Sequence, residues 1–145
     1  MTTELATTNA NNMTASIIPE GSFSTVDTTT FDGAMRVTNA INNSESLNDY
    51  VRDNNNPTMT VVDIVVTNGM RKARDGGEDT PCEDTRLILA DGTSLLSQSG
   101  GIAKSAKMIA GFCGAELHNG LLIRVVSREL RNGNTIKNLE VVGKA

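Results

Sequence analysis

The chain has 145 residues, a single-domain length with room for a terminal extension, and its 38% hydrophobic share supports one modest core rather than two. A formal charge of −4 argues against a protein that grips duplex DNA by bulk charge. No apolar run approaches the roughly 18 residues of a membrane span, and the start MTTELATTNA lacks the basic-then-apolar pattern of a secretory signal, so the expectation is a soluble, cytoplasmic chain.

The charge is unevenly spread. Residues 1–56 carry seven acids and two bases, whereas residues 57–145 carry ten acids and eleven bases. Fifteen of the first thirty residues are Thr, Asn or Ser. Such a stretch buries too little to offset its ordering entropy, which predicts a flexible arm over 1–30 with Ile17, Ile18 and Phe23 as anchors. After an Asp32–Gly33 turn, Met35, Val37 and Ile41 alternate with Arg36 and Thr38, predicting a strand over 34–41. Ser44 as N-cap, acids behind it and Arg52 in the last turn predict a short helix over 45–52, ended by Asn54–Asn56 and Pro57. Strand and helix together make an extension over 31–57.

From residue 58 the punctuation becomes regular. TMTVVDIVVT (58–67) is β-branched almost throughout and predicts a long strand, followed by a charged, glycine-containing loop over 68–83. TRLILA (85–90) predicts a second strand, and Asp91–Gly92 a tight turn into a third near Ser94–Leu96. Ile102, Ala106, Ile109 and Cys113 then recur at helical spacing, predicting an amphipathic helix over 99–113, opened by Ser99 and closed near Gly114, with Phe112 at its core-facing end. After Asn119–Gly120 come a strand over 121–127, a hairpin at Asn132–Gly133 and a last strand over 136–142. The expected fold is therefore mainly β with one or two helices: an OB-fold-like five-stranded barrel (β-β-β-α-β-β) over 58–145. A plain α+β sheet of the same order is the alternative.

Little in the chain suits catalysis. General acid–base chemistry recruits histidine or paired carboxylates, and the single histidine, His118, sits beside a turn. Asp75, Glu78, Asp79, Glu83 and Asp84 crowd one segment, which reads as a solvated charged loop without cation-loop spacing. Cys82, Cys113 and His118 lack zinc-ligand spacing, so no metal and no cofactor is expected, and two cysteines are too few for a disulfide framework. The glycine pairs 76–77 and 100–101 fall in no phosphate-cradle frame.

The basic residues are better placed. Arg71, Lys72 and Arg74 cluster in the segment joining the first two strands of the barrel, and Arg128, Arg131 and Lys137 flank the hairpin joining the last two. In an OB-fold these connections border the oligonucleotide groove. Arg86 on the second strand and Arg124 on the fourth extend the track. Arginine pairs with phosphate and stacks on bases, which suits single strands. Aromatic platforms are scarce, with Tyr50, Phe31 and Phe23 the candidates outside the barrel.

The segments FDGAMRVTNAINNSESLNDYV, VVDIVVTNGMRKARDGGEDTPCEDTRLILADG, LLSQSGGIAKSAKMIAGF and RNGNTIKNLEVV, over roughly residues 31–142, carry a resemblance. In this order they resemble single-stranded DNA-binding proteins of bacterial viruses and mobile elements, with the Asp91–Gly92 turn followed by Ser99–Ile102 as the distinctive feature. The resemblance implies an OB-like domain that coats single-stranded DNA during phage or plasmid replication, with single-stranded DNA as partner and no catalysis. An exposed barrel edge further predicts a homo-oligomer. The rival reading is a phage structural, assembly or host-interaction protein that binds no nucleic acid.

Overall fold

A computed structural model describes residues 22–73 and 76–145. Its elements are β1 (Phe23–Ser24), α1 (Phe31–Asn42), β2 (Glu45–Ser46), α2 (Leu47–Asp53), β3 (Met59–Arg71), β4 (Thr80–Leu89), β5 (Ser94–Ser97), α3 (Gly100–Leu117), β6 (Leu121–Glu129) and β7 (Thr135–Lys144). The strands form one curled, mixed sheet in the order β2-β5-β4-β3-β6-β7, with β1 added to β3. All pairings are antiparallel except β2 with β5. This mainly β half-barrel with three helices is consistent with an OB-like fold.

The long strand β3 organises the sheet. Its start pairs with β6 over Met59–Val61, and the remainder pairs with β4. A bulge between Val61 and Asp63 shifts the register. A bulge adds one residue and so reverses the side-chain alternation beyond it. Val61, Ile64 and Val66 thus all enter the main core with Leu87, Leu89, Leu95, Ile123 and Leu139, while Asp63 and Val65 face the other way. Ile102, Ala106 and Ile109 of α3 close the core from one side, and Leu47 of α2 enters it at 1% exposure. On the opposite face Val65 and Ile88 pack with Val26 and with Ala40 of α1 in a smaller cluster.

The segment expected as a strand over 34–41 is the helix α1. Thr30 caps it, its Oγ1 accepting from Gly33 N at 3.0 Å. Gly33, Val37 and Ala40 share a face at helical spacing, and that face lies on the sheet; the alternation of Met35, Val37 and Ile41 is the same pattern sampled at the wrong period. Gly33 is needed there because a Cβ would stand 1.7 Å from the Asp27 carbonyl oxygen. The next helix starts later than expected: Ser46, not Ser44, is the cap of α2. Ser44 instead donates to Ala40 O and accepts from Arg86.

Half of the expected loop over 68–83 is strand, since β3 and β4 stay in register out to Arg71–Thr80. α3 runs on through Gly114 to Leu117, whose side chain is fully buried and holds the last turn. The turns expected at Asp91–Gly92 and Asn132–Gly133 are present, with positive φ at Gly92 and Gly133, whereas the one expected at Asp32–Gly33 is the first turn of α1. Of the expected arm over 1–30, residues 1–21, including Ile17 and Ile18, lie outside the described residues; Phe23 packs against the main core and Val26 is buried. Both cysteines are free.

Candidate nucleic-acid interface

Two grooves collect five of the thirteen lysine and arginine side chains. One, of about 800 Å³, lies along the β3–β4 ribbon and is lined by Met70, Arg71, Lys72, Glu78, Gln98 and Asn48, among others. The second, of about 570 Å³, lies between α2 and the β6–β7 hairpin and is lined by Val51, Arg52, Asn56, Arg124, Lys137 and again Asn48, among others. The shared Asn48 makes the two grooves meet at the start of α2. Among the described residues the pair is lined by five cations and one acid, Glu78, on a chain whose acids outnumber its bases by 17 to 13.

Each cation has a weak local partner. Arg71 Nη2 donates to Gln98 O at 2.6 Å, and Gln98 Nε2 donates to Asp84 Oδ1 at 2.9 Å, so the ribbon base is tied to the end of β5. Lys72 Nζ stands 3.7 Å from Asp79 Oδ2, while Asp79 Oδ1 accepts from Ala73 N and closes the connection. Lys137 Nζ donates to Asn48 Oδ1 at 2.8 Å. Arg124 Nε donates to Glu140 Oε1 at 3.0 Å across the β6–β7 ladder. Arg52 lies between Asp49 and Asp53, and the hydrogen bond to Asp53 leads in raising its pKa above the ordinary guanidinium value. The ion pairs among these contacts are exposed, and solvent-exposed pairs add little to stability.

The remaining expected residues divide. Arg128 and Arg131 are exposed at the far end of the β6–β7 hairpin, without an ion-pair partner among the described residues and outside the linings of both grooves. Arg74 lies outside the described residues. Arg86 departs from the expected track: it is only 7% exposed and turned under the corner between α1 and β2. Its Nε donates to Ser44 Oγ at 2.9 Å, its Nη1 to Thr67 Oγ1 at 3.1 Å, and its Nη2 stands 3.9 Å from Asp84. Burial lowers its pKa from the ordinary value, with Asp84 opposing. That arginine holds the fold together.

The aromatic residues are also redistributed. Phe23 and Tyr50 pack against the main core. Phe112, expected to face the core, is 86% exposed, because it sits roughly a quarter-turn from the Ile102–Ala106–Ile109 stripe. Phe31 is exposed on α1. Missed by sequence reasoning were Arg52, Asn48, Asn56 and Gln98; the docking of α2 beside the strands brings the first three to the groove, Gln98 reaches Arg71 from the end of β5, and nothing in their spacing announces it.

The profile of a family of phage single-stranded DNA-binding proteins, of the Phi29 type, matches residues 17–142. The chain belongs to that family. It is a non-catalytic, DNA-binding family. No curated protein and no solved structure matches the chain. Among the described residues no cluster of His, Cys, Asp or Glu is arranged to hold a metal, and no helix is long and apolar enough to cross a membrane.

Proposed function

We propose that this protein coats single-stranded DNA without sequence preference during phage or plasmid replication, acting as a homo-oligomer built on an OB-like barrel of β3–β7 and α3. The observation that carries this reading is the segregation of charge: on an acidic chain, two adjoining grooves gather Arg52, Arg71, Lys72, Arg124 and Lys137. A polyanionic strand would track these cations and exchange their weak carboxylate and amide partners for phosphate oxygens. Arg128 and Arg131 would extend the track along the hairpin.

Sequence tolerance follows from the kind of contact the cations make, since phosphate contacts carry no sequence information. Anisotropy of labelled oligo-dT against duplex of equal length, over a salt series, tests the reading. Binding to the single strand alone is expected, with a log K against log salt slope of up to about −3.5 if all five cations meet phosphates at about 0.7 each. No binding at low salt would overturn it.

A further inference from the structure

We propose that helix α2 is itself part of the DNA-binding surface, and that Asn48, Arg52 and Asn56 join the two grooves into one trough for a single strand. The inference rests on the single-stranded-DNA reading above and adds residues to its site that lie in the N-terminal extension rather than in the barrel.

Five observations carry it. Asn48 lines both grooves, so any chain passing from Arg71 to Lys137 crosses the start of α2. The groove between α2 and β6–β7 has two arginines and a lysine and no carboxylate in its lining among the described residues. Arg52 keeps 70% of its side chain in solvent and is held only by Asp49 and Asp53, themselves exposed, so phosphate competes for it readily. Leu47, buried at 1% in the main core, fixes the helix, so these groups are presented from a rigid element. The half-buried Val51 and Val126 offer apolar surface to base faces where aromatic platforms are absent, and Asn56 offers an amide to base edges.

The test is a salt series of oligo-dT anisotropy on the full chain. Arg52→Ala removes one phosphate contact; a several-fold loss of affinity at low salt and a slope shallower by about 0.7 are expected. Asn56→Asp puts a carboxylate into the trough at a residue whose positive φ aspartate also tolerates, and weakens binding likewise. The double change Asp49→Asn with Asp53→Asn frees Arg52 and tightens binding, whereas Glu116→Gln, a carboxylate lining neither groove, leaves it unchanged. Wild-type affinity and slope in both Arg52→Ala and Asn56→Asp, while Arg71→Ala with Lys72→Ala weakens binding, would remove α2 from the site and leave the single-stranded-DNA reading standing. Failure of the unmodified chain to bind oligo-dT would overturn both.

Discussion

The α1-covered face of the β3–β4 ladder and the two grooves treat charge in opposite ways. On the face covered by β1 and α1, Asp63 is 1% exposed and accepts from Arg36 Nη2 at 2.7 Å and Thr25 Oγ1 at 2.8 Å, with His118 Nδ1 at 3.0 Å. Arg86, on the same face, is surrounded by Ser44, Thr67 and Asp84. At the grooves, Lys72 and Arg124 each keep one exposed carboxylate partner, Arg71 donates to the backbone carbonyl of the half-buried Gln98, and Arg52 lies between two exposed carboxylates, Asp49 and Asp53. The difference is one of solvation. A buried ion must be satisfied by several fixed neighbours before the fold tolerates it, and is then unavailable to a ligand. An exposed ion gives up little when a phosphate replaces its partner. The charges of the covered face are locked into the fold, and those of the grooves stay open to solvent.

Breaking the buried side has the largest expected effect. Arg86→Ala takes the donor from Ser44 and Thr67 and the cation from beside the largely buried Asp84, and is expected to cost about 3 kcal/mol in urea unfolding, the lower end of the range for deleting one member of a buried pair. Oligo-dT affinity of the protein that remains folded should be unchanged. A large affinity loss with little destabilisation would place Arg86 back among the contact residues.

Next come two glycines that separate the faces. Gly33→Ala drives a Cβ into the Asp27 carbonyl and should cost about 1–3 kcal/mol without altering the salt slope. Gly101→Ala meets the Lys137 carbonyl oxygen at 2.1 Å and should cost a similar amount, but it also displaces β7 and its lysine, so oligo-dT affinity falls too. Equal binding behaviour in the two variants would erase the distinction.

On the groove side, Lys137→Ala should leave the urea midpoint within about 0.5 kcal/mol of the parent while flattening the salt slope by about 0.7. The smallest effect is on acid stability. Asp27 is held below the ordinary carboxylate value of 3.8 by hydrogen bonds from the side chain and backbone of Thr29. Asp91 is lowered likewise by Thr93, chiefly through its backbone N–H. A folded pKa below the unfolded one means the stabilisation is complete above about 3.8 and is lost as the pH falls through the lower folded value. Asp27→Asn with Asp91→Asn should therefore shrink the fall in melting temperature between pH 5 and pH 2.

Much of the barrel was legible because its signals are local. The turn at Asp91–Gly92 needs the positive φ that Gly92 supplies, and Asp91 Oδ1 accepts from Thr93 N as its side chain suits. Ser99 caps α3, and the Ile102–Ala106–Ile109 stripe is the buried one. The N-terminal extension was misread where two periods compete: seven residues of α1 sample a strand and a helix alternation almost equally well, and only contact with Val65 and Ile88 selects the helical face.

The sequence by itself determined the strand-rich chain after residue 58, the helix between its third and fourth long strands, and the concentration of bases in its second half, since turn geometry, capping and periodicity act over a few residues. Which bases are available was decided by tertiary structure. Strict alternation along TVVDIVV would place Asp63 on the Val61 side, in the core; the bulge sends it to the α1 side, where Arg36 neutralises it. Arg86 and Arg124 read alike as strand arginines, yet one is enclosed by α1 and β2 and the other is open to the groove. Burial depends on which distant segment packs above a residue, and the α2 that brings Asn48 between the two grooves is such a segment.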